Sequence, residues 1–93
     1  MEYIRVDWHH EFEDEPVTYY SEIDDGRWEV RAVREYRDGR LEWADGSHES
    51  GDAVLAERPF PQLEEISGQS EFDAMRIEVS EFERLWNAAR FPR

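Results

Sequence analysis

The sequence predicts an α+β domain: a twisted, mostly antiparallel sheet of four to five strands, with a C-terminal amphipathic helix packed on one face and one short helix before the last strand. Two observations predict this class. Through the first half of the chain, apolar residues alternate with polar ones, which is the period of half-buried strands. Near the C-terminus the apolar residues instead recur at helical spacing. Strands joined by hairpin signals and closed by a helix are typical of an α+β fold.

The first two strands are predicted at residues 3–8 and 17–24, where the alternation is regular. Between them lies an acidic segment that ends at Pro16, which prepares the chain for a second extended segment. Asp25-Gly26 then provides a strong hairpin signal. These features predict an antiparallel pair that is followed directly by a third strand.

The third strand is predicted at residues 27–37. Its even-numbered positions, from Trp28 to Tyr36, are mostly apolar and are expected to face the core. Its odd-numbered positions carry arginine and glutamate in alternation, with Val33 between them. Charges of alternating sign on one face favour a solvated sheet surface, so we expect this face to be exposed to water.

Three further elements follow the third strand. The turn signal Asp38-Gly39 leads into a strand at residues 40–44. Residues 45–53 are rich in glycine, serine and carboxylates, which predicts an exposed loop. A short helix is expected over residues 61–66, because proline suits a first helical position.

The C-terminal unit is predicted to be a strand over residues 74–79 followed by a helix. Ser80 and Glu83 have the spacing of a capping box, which predicts that the helix opens at Ser80. One apolar stripe should pack this helix on the sheet, and it consists of Phe82, Leu85, Trp86 and Ala89.

The size and composition favour one domain over residues 1–93, near the lower limit for burying a core without crosslinks. The chain has no cysteine, which excludes disulfides, thiolate zinc sites and cysteine nucleophiles. Aromatic residues make up 14% of the chain and supply bulk for the core. The strong periodicity therefore predicts a folded chain although 38% of its residues are charged.

The net charge is −13, from 24 acidic and 11 basic residues. Such a surface repels nucleic-acid phosphates and anionic membranes, and it speeds encounter with a basic partner. Direct nucleic-acid binding and membrane association are therefore not expected. The N-terminus has no basic and apolar leader pattern, and no stretch approaches a membrane span, so we expect a cytoplasmic protein.

The segment DWHHEFEDEPV, residues 7–17, sets two adjacent histidines among carboxylates. Adjacent residues on a strand point to opposite faces, so both histidines can bind one ion only where the strand has ended. The spacing of known zinc motifs such as HExxH is absent. We therefore predict no cofactor and no metal site; the weak candidates for metal ligands are Asp7, His9, His10 and His48.

Residues 11–25 carry many carboxylates and no basic residue. This run predicts an acidic recognition edge for a basic protein partner, with aromatic side chains as anchors. The residues predicted to bind the partner are His9, His10, Glu11, Phe12, Glu13, Asp14, Glu15, Tyr20, Asp24 and Asp25.

A larger pattern covers most of the chain: YIRVDWHH, then DEPV.YYSE.DD.RWEVR, then YRDGR, and a closing EFE.LW. It resembles a family of short, acidic bacterial proteins of actinobacterial type that are catalogued as a domain of unknown function. The resemblance runs from Tyr3 to Trp86, which favours one complete domain. It implies no activity and no site residues, but proteins of this type suggest partners encoded beside toxins.

Three functions remain open from the sequence. The favoured one is a non-enzymatic immunity- or inhibitor-type protein that neutralises a basic partner such as a toxin nuclease. The second is a small metal-assisted or acid–base enzyme that uses the region of Asp7, His9 and His10. The third is a DNA mimic that occupies a nucleic-acid-binding protein.

Overall fold

The structure, a computed structural model, describes residues 1–49 and 53–91, and over these residues it has the predicted α+β fold. The elements in chain order are the strands β1 (Glu2–Trp8), β2 (Thr18–Ile23), β3 (Glu29–Glu35), β4 (Leu41–Asp45) and β5 (His48–Glu49), the helix α1 (Leu63–Ser67), the strand β6 (Phe72–Arg76) and the helix α2 (Val79–Arg90). The sheet order within the described part is β5-β4-β3-β2-β1-β6. All neighbouring strands are antiparallel, and β5 has only two residues, so the predicted sheet of four to five substantial strands is confirmed.

The turn between β2 and β3 makes the third strand shorter than predicted. Asp24 Oδ1 accepts hydrogen bonds from the backbone N–H groups of Gly26 and Trp28, both at 2.9 Å. Arg27 adopts a left-handed backbone conformation with φ of 68°, which extended structure does not allow. The strand therefore begins at Glu29 rather than at residue 27. Trp28 is 46% exposed, so it is not the core residue that the alternation predicted.

Helix α2 covers one face of the sheet with the predicted apolar stripe. Phe82, Leu85, Trp86 and Ala89 are all buried, and they pack against Tyr20 and Val33 of the sheet. Val33 is 0% exposed, so the predicted solvation of the odd-numbered face of β3 is wrong. The helix lies over that face, and the alternating charges of β3 did not reveal this cover.

The start of α2 also differs from the prediction. The helix begins at Val79, and its N-cap, Glu78, makes no side-chain cap hydrogen bond. The predicted last strand is present, but it covers Phe72–Arg76 rather than residues 74–79. The predicted capping box at Ser80 is wrong. Glu83, the expected partner in that box, instead binds Arg31, with Nη2 and Oε1 2.5 Å apart.

The opposite face of the sheet is covered by the segment from Ala53 to Ser67. Ile4, Val6 and Ile23 are buried there together with Ile66 of α1. The short helix predicted before the last strand is confirmed as α1. Because both faces are covered, the small domain buries a core on each side of the sheet. Neither helix in the described ranges is long and apolar enough to cross a membrane.

An ion-pair network centred on Arg31 joins the sheet to α2. The guanidinium binds both oxygens of Glu22, at 2.6 and 2.8 Å, and lies over the rings of Phe82 and Trp86, 5.0 Å from each centroid. The Tyr3 hydroxyl donates a further hydrogen bond of 2.8 Å to Glu22. These bonds hold the pKa of Glu22 below its usual range, with the Arg31 hydrogen bonds as the largest cause. A carboxylate that is only 7% exposed therefore stays ionised in the folded protein.

Replacement of Phe82 by alanine should lower the free energy of unfolding by about 3–5 kcal/mol, because it removes a ring that is fully buried between α2 and the sheet. The matched control on the same helix is Val79→Ala, since Val79 is 49% exposed and should change stability by about 0.5 kcal/mol or less. Urea denaturation of both variants checks this. Equal losses in the two variants would contradict the packing described for α2.

Replacement of Glu22 by glutamine should cost about 1.5–3 kcal/mol of stability at pH 7. The folded-state pKa of Glu22 is depressed, so its contribution is complete above the unfolded-state pKa, ordinarily 4.5, and is lost as the pH falls through the folded-state pKa. The difference between wild type and variant should therefore shrink toward pH 3. Urea denaturation at several pH values measures it, with Glu11→Gln, an exposed carboxylate, as the control. A difference that stays constant from pH 7 to pH 3 would contradict the proposed ionic role.

Candidate partner-binding surface

Residues 9–17, here called the acidic loop, connect β1 to β2 at one end of the sheet. Hydrogen bonds fix the loop to its neighbours. The Trp8 N–H donates to the Val17 carbonyl at 2.9 Å, and the His9 N–H donates to the Glu71 carbonyl at 2.8 Å. Arg37, from the turn between β3 and β4, donates to the His10 carbonyl at 2.7 Å. The loop therefore has a defined path although its carboxylates face solvent.

His10 shapes the loop from within. Its Nδ1 accepts a hydrogen bond of 2.9 Å from the Phe12 N–H, and its Nε2 lies 2.8 Å from the Pro16 carbonyl oxygen. A backbone N–H only donates and a carbonyl only accepts, so these partners assign the neutral tautomer with hydrogen on Nε2. Both ring nitrogens are thus used to hold the loop, and His10 offers no lone pair to a metal.

An aromatic stack supports the acidic loop, and it consists of Trp8, His10, Phe12 and Phe72. The Trp8 ring lies 4.0 Å from the His10 ring and 6.1 Å from the Phe72 ring, between centroids. Phe12 stacks on His10 at 5.3 Å and is itself 61% exposed. An exposed aromatic side chain is therefore held in one place by rings beneath it.

Four exposed carboxylates flank Phe12 along the chain, and they belong to Glu11, Glu13, Asp14 and Glu15. Three of them, with Trp8 and Phe12, line a notch of about 350 Å³. No lysine or arginine occurs in residues 9–17. Ring faces together with carboxylates attract a guanidinium or an ammonium group. The notch is therefore suited to a cationic side chain.

Seven of the predicted partner-binding residues are brought together in this loop: His9, His10, Glu11, Phe12, Glu13, Asp14 and Glu15. Asp24 and Asp25 are not, because they follow the other end of β2. That strand has six residues, which separates the two ends by about 20 Å. Asp24 moreover uses Oδ1 to hold the turn to β3. The predicted acidic edge is therefore divided into two acidic patches, the acidic loop before β2 and Asp24 with Asp25 after it.

Tyr20, predicted as an aromatic anchor for the partner, is a core residue. It is only 4% exposed and packs with Val33 and Phe82. Burial is the largest of the causes that raise the pKa of Tyr20 to about 12. Its hydroxyl stays neutral and donates to Glu35 Oε1 at 3.3 Å. Because β2 presents Tyr20 to the helix-covered face, this residue cannot reach a partner, and that prediction is wrong.

Of the four weak candidates for metal ligands, Asp7, His9 and His10 line one cavity at the end of β1, but their polar atoms are bonded to other groups. Asp7 Oδ1 accepts hydrogen bonds from Arg5 and Thr18, and His9 Nε2 pairs with Asp73 Oδ2 at 2.7 Å. His48 stacks on Trp43, 4.0 Å between centroids. It lies at the opposite end of the sheet, because it pairs with Asp45 on β4. Among the residues that the structure describes, no group of three or more His, Cys, Asp or Glu could hold a metal ion.

Sequence reasoning missed the contribution of β6 to this surface. Phe72 joins the aromatic stack, Asp73 pairs with His9, and the Glu71 carbonyl fixes the loop backbone. These contacts depend on the antiparallel pairing of β1 with β6, in which Trp8 faces Phe72. The alternation along β6 could have indicated a strand that starts earlier, but nothing in the local pattern identifies its neighbour.

The fold and the surface define a small α+β protein with a doubly covered antiparallel sheet and a structured acidic loop at one end. Comparison with protein families matches residues 2–91 to the Domain of unknown function (DUF6881), and the chain belongs to this family. No curated protein and no solved structure matches the chain.

Replacement of His10 by alanine should release the acidic loop, because the variant loses two hydrogen bonds and the ring on which Phe12 stacks. Amide hydrogen exchange should report faster exchange at the Phe12 N–H, which has lost its acceptor. The matched control is His48→Ala, which removes a stacked histidine at the other end of the sheet. If Phe12 exchanges at the same rate in wild type and in His10→Ala, His10 does not hold the loop.

Proposed function

We propose that this chain is a non-enzymatic binding protein of the immunity or inhibitor type, which covers the basic surface of a protein partner such as a toxin nuclease. One observation carries the proposal. Phe12 is 61% exposed at the outer end of a fixed aromatic stack, and it lines a notch together with three exposed acidic residues. An aromatic anchor set among charges is typical of binding hot spots.

The mechanism follows from charge and rigidity. The net charge of −13 attracts a basic partner over long range and raises the association rate. At contact, the carboxylates of the acidic loop pair with arginine or lysine, and Phe12 fixes the register. Because His10 and Arg37 hold the loop in place before binding, less conformational entropy is lost on association.

The toxin context is supported only by the resemblance to short acidic bacterial proteins. The matched family is a domain of unknown function and therefore gives no partner of its own. If the surface that this protein covers is the DNA-binding surface of its partner, the protein acts as a DNA mimic. The third function left open by the sequence is then a special case of this proposal. The metal-assisted enzyme has less support, because Asp7, His9 and His10 are bonded to other groups of the protein and His48 lies at the opposite end of the sheet.

The products of the genes that neighbour the gene for this protein are the first partners to test. With a partner found in this way, the association rate should fall by about tenfold or more between 50 and 200 mM salt, because screening weakens the attraction. The double variant Glu13→Lys/Asp14→Lys should slow association further by reversing two charges of the acidic loop. Surface plasmon resonance measures both effects.

The matched control is Glu64→Lys/Glu65→Lys, which makes the same change of net charge at two exposed residues of α1. Its effect on association should be several-fold smaller. Equal effects of the two double variants would mean that net charge alone matters, and salt-independent association would count against the proposal. Phe12→Ala should mainly raise the dissociation rate, since it removes an anchor and no charge.

A further inference from the structure

A second cavity lies on the face of the sheet opposite α2, between β1, β2 and β3 and the segment that contains Ala56 and Phe60. We call it the aromatic pocket. Its volume is about 380 Å³, within the range of ligand-binding sites. Four rings and two aliphatic side chains dominate its lining: Trp8, Tyr19, Phe60, Phe72, Val6 and Ile66. The lining therefore favours an apolar occupant.

The polar side chains that line the aromatic pocket are hydrogen-bonded to other groups of the protein. The Ser21 hydroxyl donates to Glu29 Oε2 at 2.5 Å, and Glu29 Oε1 accepts from the Ala56 N–H at 2.8 Å. Arg34 donates to the Val54 carbonyl at 2.9 Å and lies over the Tyr19 ring. A polar occupant would have to displace these bonds, whereas an apolar one gains from burying the rings.

The pocket is held open by the turn that precedes β3. Arg27 donates from Nε to the Phe60 carbonyl at 2.9 Å and from Nη2 to the Pro61 carbonyl at 2.7 Å. Its own carbonyl accepts from the Phe60 N–H at 2.6 Å. Arg27 makes these three hydrogen bonds from a left-handed backbone conformation, which is unfavourable for a residue with a side chain. Phe60 is therefore a fixed wall, and the pocket is formed before an occupant arrives.

The aromatic pocket and the acidic notch are neighbours, because Trp8 lines both. We infer that the aromatic pocket receives an apolar side chain, of the size of leucine or phenylalanine, from the same basic partner segment whose arginine or lysine residues lie on the acidic loop. This inference rests on the proposed function and adds the chemistry of the partner. The occupant is thus an apolar residue flanked by basic ones, which complements an apolar pocket beside carboxylates.

Two capped peptides test the inference, Arg-Arg-Leu-Arg-Arg and Arg-Arg-Gly-Arg-Arg, which differ only in the apolar residue. The leucine peptide should bind about tenfold more tightly, because burial of one leucine side chain contributes at least that factor. In nuclear magnetic resonance spectra it should shift the amide signals of Ser21 and Ala56 as well as those of Glu13 and Asp14. The glycine peptide should shift only the acidic-loop signals.

Ala56→Phe should remove the advantage of leucine by filling the mouth of the pocket with a bulky side chain at an exposed position. Gln69→Phe should fill the pocket from another exposed position. This variant replaces Ala56→Phe in the test if Ala56→Phe does not fold. The matched control is Ala88→Phe, the same change at an exposed residue of α2 outside the pocket. It should keep the full preference for the leucine peptide.

The results separate this inference from the proposed function. Equal affinity for both peptides, with shifts confined to the acidic loop, would overturn the pocket inference and leave the proposed function standing. A leucine preference that Ala56→Phe leaves intact would also overturn it. Shifts at Ser21 and Ala56 without any at Glu13 and Asp14 would support the pocket and contradict the role of the acidic loop.

Discussion

The position of α2 depends on how Arg31 is neutralised beneath it. A guanidinium between a sheet and a helix is tolerated only where carboxylates satisfy it, and Glu22 and Glu83 approach it from the two sides. The same group lies over Phe82 and Trp86, so charge and apolar packing act at one point. With α2 fixed on one face, the acidic loop at the end of the sheet and the aromatic pocket on the other face remain accessible.

Local sequence patterns predicted where the strands and helices lie, but they predicted less well which faces of these elements are covered. The stripe that contains Phe82 and Trp86 has helical spacing, and α2 buries it as predicted. Period two also located β1 to β4, but it cannot tell whether the second face of a strand is covered. The face that carries Arg31 and Val33 was therefore expected in water. The start of α2 was missed for a similar reason: Glu83 has a distant partner in Arg31 rather than a local one in Ser80.

The acidic loop could be predicted because its residues are contiguous, so that any compact turn brings Glu13 and Asp14 together with Phe12. Tyr20 and Asp24 lie beyond that local range. Their roles depend on strand parity and strand length, which place Tyr20 beneath α2 and Asp24 about 20 Å from the loop. The pairing of Trp8 with Phe72 was equally beyond the sequence, since the two residues are far apart in the chain and are joined only by the register of β1 and β6.

The edge of the sheet near this surface limits how a partner can bind. An edge strand such as β6 could accept an added strand if its outward backbone groups were open. The Phe72 N–H already donates to the Gln69 carbonyl at 3.0 Å, and the Ala74 N–H donates to Ser67 Oγ at 3.2 Å. A strand added to β6 would have to replace both bonds. Recognition through side chains, at the acidic loop and the aromatic pocket that meet at Trp8, requires no such exchange.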